Sequence, residues 1–107
     1  MALARNSNRT VVERVKRDPA FAKALFDEAL TLFLNGEPET ARLVLRDLVH
    51  AIVGFERLAV ATGKPAKSLH RMLSTSGNPS MDNLATIIGA LRKRLGVKLA
   101  ARVVKAA

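Results

Sequence analysis

Residues 54–73 read GFERLAVATGKPAKSLHRML, two short apolar-periodic runs broken by Gly63 and Pro65. Unbroken, the stretch would make one long amphipathic helix. Glycine adopts positive φ without a steric penalty, and proline suits the first turn of a new helix. The break therefore predicts two helices meeting at a tight turn, with Ala59 as the small residue where they cross. Phe55, Leu58, Leu69, Met72 and Leu73 would hold the second helix to the first. At about 100° per residue, Lys67 and Arg71 fall opposite Leu69, Met72 and Leu73. Two cations at i and i+4 cost an isolated helix about 0.2–0.5 kcal/mol. Against phosphates and guanine edges the same pair becomes favourable.

Outward from this stretch the chain reads as helices with marked ends. Asn8 or Thr10 is suited to cap a short helix carrying Val11, Val12 and Val15. Asp18-Pro19 pairs an N-cap residue with proline at the first helical position, and Asn35-Gly36 stops the helix that follows. That helix is apolar nearly all round, so it is buried within this domain or against another chain. Glu37-Pro38 opens the next, in which Ala41, Val44, Leu45, Leu48 and Ile52 recur at helical spacing. After a loop, TSGNP at 75–79, Ser80 caps a helix faced by Leu84, Ile87, Ile88, Leu91 and Leu95 and ended by Gly96. Residues 97–104, VKLAARVV, read as a short strand or a frayed turn. The expected fold is all-α: a small helical bundle containing the helix-turn-helix, with one C-terminal segment as its candidate strand.

Composition narrows the function. The chain has 107 residues, room for one domain, and 49% of them are apolar, enough for a packed core. Cysteine is absent, which excludes disulfides and thiolate metal sites. MALARNSNRT at the start has no apolar core of a signal peptide, and no run reaches the roughly 18 apolar residues of a membrane span. A soluble, cytoplasmic protein is expected. The net charge is +9, and its placement is uneven: residues 1–53 hold 8 basic and 7 acidic residues, residues 54–107 hold 10 and 2. A C-terminal half with this excess suits a polyanion, nucleic acid first. With four Phe and no Trp or Tyr, stacking platforms for single strands are scarce.

The stretch ERLAVATGKPAKSLHRML, with the trailing NPSMDNLATIIGALRKRLGVKL, resembles the lambda-repressor/Cro-type (XRE-like) helix-turn-helix proteins over residues 40–99. More narrowly, GFERLA, ATGKP, KSL and RML, with the upstream RDPAF, are similar to the HigA-like antidote proteins of toxin–antitoxin modules. The resemblance implies a recognition helix at residues 65–74 lying in the major groove of double-stranded DNA, with base contacts from Ala66, Lys67, Ser68 and Arg71. Lys64 would approach the backbone, and His70 of the same helix is a further candidate for DNA contact. Asn78 and Ser80 flank the start of the following helix, an end that commonly approaches a phosphate, although Asp82 there would repel one. Two positions depart from the family pattern. Phe55 stands where a phosphate-contacting Gln is common, and Lys64 stands where an apolar residue is usual. The Arg92-Lys93-Arg94 run reads as compensation of the helix dipole. The resemblance further implies a homodimer, repression of the protein's own operon and a toxin partner, commonly a RelE-like ribonuclease.

A repressor-type domain spans 38–99, leaving 1–37 as an N-terminal helical extension, for core or for a partner, and 100–107 as a tail. Catalysis finds no constellation. Ser68 and His70 are two apart on a helix and cannot face each other, and His50 reads as a half-buried core residue with Asp47 as a helix neighbour. No phosphate-cradling loop, metal-ligand cluster or nucleophile motif occurs, so neither an enzyme nor a cofactor is expected. Two alternatives stay open: a solitary regulator without a toxin, and a helical interaction module for an acidic partner.

Overall fold

Asp18 caps the second helix as its chemistry requires: its Oδ1 accepts from the Phe21 amide at 3.1 Å, and Pro19 occupies the first helical position. The computed structural model describes the backbone of residues 2–107 and the side chains of residues 9–107. Its helices are α1 (Ala2–Arg17), α2 (Pro19–Leu34), α3 (Pro38–Ile52), α4 (Phe55–Thr62), α5 (Ala66–Met72) and α6 (Met81–Leu95). The protein is an all-α helical bundle, as the sequence predicts.

The helix ends follow the glycines. Gly36, Gly54, Gly63 and Gly96 all have positive φ, and Gly63 and Gly96 are the left-handed caps of α4 and α6. Two elements differ from expectation. First, α1 begins at Ala2, so Asn8 and Thr10 lie inside it and neither caps it; Ala2, Leu3, Ala4 and Arg5 are strong helix formers that carry the helix past both. Second, residues 97–107 form no strand. A strand is defined by the ladder it makes with a neighbour, and among the described residues the chain supplies no second strand.

The core joins both ends of the chain. Val15 of α1 and Ala22 and Phe26 of α2 belong to one cluster with Leu45, Leu48 and Val49 of α3, Phe55 and Leu58 of α4, Leu69, Leu73, and Ile87 and Leu91 of α6. The apolar girth of α2 is therefore used chiefly inside this chain: it packs on α3 and α1, and Phe21, Leu25, Leu30 and Phe33 lie partly buried against the core. Leu34, at its C-terminal end, stays exposed. Apolar residues between Val11 and Phe33 thus share the core on which α4 and α5 are mounted. No described helix is long and apolar enough to cross a membrane.

Candidate nucleic-acid interface

Eight-residue α4 and seven-residue α5 form a helix-turn-helix around Gly63. Gly63 stands at φ 71°, and its amide donates to the Ala59 carbonyl at 2.9 Å, closing α4 before the chain reverses. Pro65 precedes α5 with extended backbone, the usual conformation of an N-cap. Leu58, Leu69 and Leu73 are fully buried, and Met72, Ala59 and Ala66 lie partly buried against the core. One face of α5 is thus anchored across its whole length.

The opposite face carries Lys67 and Arg71, both exposed. Among the described residues the ion pair formed is Arg14 with Asp18, at the start of α2, so neither Lys67 nor Arg71 is neutralised by an acid. Lys64 and Ser68 are half-buried at the margins. Ala66 differs from expectation: it is partly buried against the core instead of standing free with Lys67, because it opens the inward side of a short helix. Ser80 is committed to its own helix, its Oγ accepting from the Asn83 amide at 3.1 Å, while Asn78 is exposed in the loop before it.

His70 is turned away from the cationic face. Its ring stacks on Phe55 with centroids 3.7 Å apart and planes 16° apart. His50 of α3 meets the same Phe55 edge-on at 4.9 Å and lies 5.8 Å from His70. Phe55 thus fills its position as a buried spacer between α3 and α5, a packing role. His50 is exposed rather than half-buried, although its ring meets Phe55. Its imidazole is held below the usual range, first by burial of part of the ring and then by the positive neighbours His70, Arg46 and Lys16. Asp47 is pushed up by burial, which Arg46 partly offsets, and it makes no hydrogen bond to His50.

Two positioning residues have no sequence signature. Arg42, on α3, donates from Nε to the Ser74 carbonyl at 3.0 Å and from Nη2 to the Thr75 carbonyl at 2.9 Å. It ties the exit of α5 to the body of the bundle, 32 residues away in sequence. Gly77 packs directly beneath the end of α5, with no room for a side chain against the carbonyls of Arg71 and Met72. In sequence the first is one arginine on an amphipathic helix and the second one glycine in a polar loop. Arg42→Ala is expected to cost about 1–3 kcal/mol, as loss of hydrogen bonds from a charged donor does. Hydrogen exchange should then accelerate at residues 74–77 more than in α2, and uniform acceleration would contradict the tether.

At the end of α6, Arg92, Lys93 and Arg94 occupy the last turn, and Arg92 Nη1 donates to the Val97 carbonyl at 3.2 Å. This matches dipole compensation and capping. Among the described residues no cluster of three or more His, Asp or Glu could hold a metal ion. No family model matches the chain, and no curated protein or solved structure matches it either. The α4–α5 pair carries two exposed cations that form no ion pair among the described residues, on a helix backed by the buried Leu69 and Leu73.

Proposed function

We propose that this protein is a sequence-specific regulator of transcription that binds double-stranded DNA through α5. The observation that carries the reading is the face of Lys67 and Arg71: exposed, without an acidic partner among the described residues, and backed by the fully buried Leu69 and Leu73. A short helix so anchored keeps its geometry when it enters a major groove, and its cations meet guanine edges and phosphates there. Lys64, at the turn, is suited to a phosphate. Ser68 and Asn78 are secondary candidates, whereas the Ser80 hydroxyl caps α6 and the ring of His70 is engaged with Phe55. The charge excess of residues 54–107 supports the same reading through attraction to the duplex. Such a regulator acts where DNA is transcribed, which in a cell without a nucleus is the cytoplasm.

The narrower resemblance extends the proposal to an antidote that represses its own operon as a homodimer and neutralises a RelE-like ribonuclease toxin. Co-expression with a neighbouring small basic reading frame tests that part alone: rescue of growth supports it, and continued toxicity counts against it.

DNA binding is tested by selecting bound sequences from random duplexes. Arg71→Ala should then cost about 1–3 kcal/mol on the preferred site and relax its sequence. Lys64→Ala should weaken all sequences alike and make the salt dependence shallower. If the double variant Lys67→Ala/Arg71→Ala binds like the parent, with its circular dichroism unchanged, α5 is not the reading helix.

A further inference from the structure

The chain contains two histidines and no cysteine, so His50 and His70 are its side chains whose ordinary titration falls between about pH 5 and 8. They belong to different helices, α3 and α5, yet the fold sets both on one ring, Phe55 at the start of α4. His70 stacks on that ring at 3.7 Å, His50 meets it edge-on at 4.9 Å, and the two imidazoles stand 5.8 Å apart. Three helices thus meet through three rings. Phe55 is buried, His70 half-buried and His50 exposed, so protons reach the cluster from the His50 side.

The charge around the cluster is one-sided. His50 lines a groove with Arg9, Glu13 and Lys16 of α1 and Arg46 and Asp47 of α3. Partial burial opposes a proton on its ring, and so do the charges that act on it, those of His70, Arg46 and Lys16. Asp47 is itself held toward its neutral form by burial, and Glu13 forms no ion pair with Lys16 or Arg46 among the described residues. On α4 the charged residues are Glu56 and Arg57, both exposed, and on α5 they are the cations Lys67 and Arg71.

One proton on the pair is accommodated, because the face of an aromatic ring attracts a cation. The second puts two charges 5.8 Å apart, inside the roughly 8 Å over which physiological salt screens them. Parting the rings relieves that repulsion and returns the imidazoles to water. As pH falls below about 6.5, the arrangement with α5 seated therefore binds fewer protons than one with the rings parted, and the population shifts toward the latter.

We infer that the His50–Phe55–His70 stack is a pH-sensitive clamp on α5, closed at neutral pH and opened by protonation of both imidazoles. Its purpose rests on the DNA-binding reading, since only the fraction with α5 seated would enter the groove. The His70 ring is engaged with Phe55, so its proton gains little from a bound phosphate. Affinity for duplex DNA should fall on acidification instead of rising.

The test uses the full chain with His50→Gln and His70→Gln, which keep a polar side chain but take up no proton. Without DNA, NMR of the ring hydrogens should place the His50 midpoint below the ordinary imidazole value in the parent, and His70→Gln should move it upward. Hydrogen exchange in α5 relative to α2 should quicken at least about threefold between about pH 7.5 and 5.5 in the parent, and not in His50→Gln. Binding to the selected duplex at constant ionic strength should weaken by at least about threefold over the same range, again only with His50 present. His50 is exposed, so His50→Gln keeps the fold, and the test stands on it even where His70→Gln does not fold. A His50 midpoint indifferent to a folded His70→Gln, or α5 exchange as pH-dependent in His50→Gln as in the parent, overturns the clamp. Tighter duplex binding at the lower pH overturns it too, because the imidazoles would then serve as phosphate contacts. An α5 that opens on acidification in a protein that binds no duplex at either pH supports the clamp and sinks the DNA-binding reading alone.

Discussion

Phe26→Asp is expected to unfold the whole protein, α4 and α5 included. The Phe26 ring is 1% exposed and lies in the cluster that also contains Leu45, Leu69 and Leu91. Truncating such a ring to alanine costs about 3–5 kcal/mol through lost transfer energy and the cavity left behind. An aspartate adds an unpaired carboxylate in an apolar site where the described core holds no buried polar side chain. A domain of this size has about 5–15 kcal/mol of stability in all, so little or none remains. Far-UV circular dichroism should show most of the helicity lost, not only the share of α1 and α2. Leu34→Asp is the contrast, because Leu34 stands in solvent at the end of the same helix; its effect should stay within about 0.5 kcal/mol, as for ordinary surface changes. A Phe26→Asp protein that melts like the parent would show that α2 is dispensable to the core.

The second large effect is expected at Gly77. A β-carbon there would lie 2.5 Å from the Arg71 carbonyl oxygen and closer still to that of Met72. These are backbone atoms at the end of α5, and the Arg71 carbonyl also accepts from the Ser74 amide and hydroxyl, so they cannot yield as a flexible side chain would. The strain is one of space, since Gly77 is not among the residues with positive φ. Overpacking a filled site costs about 1–3 kcal/mol, and Gly77→Ala should fall at the upper end. Because the clash sits under α5, the loss should appear twice: as a lower melting temperature, and as weaker binding to the selected duplex at temperatures where the fold is intact. Gly89→Ala is the control, a helical glycine with open space around its β position; it should be neutral or stabilising, as helix propensity favours alanine. Equal melting temperatures for the two variants would refute the packing assignment.

Much of this architecture is legible in the chain because its punctuation is chemical and local. Asp18-Pro19, Gly36, Gly63, Ser80 and Gly96 each mark a helix end where the backbone needs a capping oxygen, a preset φ or a left-handed residue. None of those needs depends on what lies across the molecule. The start of α1 departs from the capping signals for a related reason. Asn8 and Thr10 are good caps in isolation, but a run of helix formers before them decides the matter. The cationic side of α5 is equally readable, since periodicity alone sets Lys67 and Arg71 opposite Leu69, and burial follows that division.

Helix number, helix ends and the two faces of α5 are therefore written in neighbouring residues, because hydrogen-bond closure and helical period act over a few positions. Four matters belong to the tertiary structure alone. It turns the apolar girth of α2 inward onto α3, draws Arg42 to the exit of α5, leaves Gly77 no space, and stacks His70 on Phe55 away from Lys67. Each depends on which surfaces meet across more than a turn of chain, and the energy of such meetings resides in shape and distance, which residue order does not specify until the helices have packed.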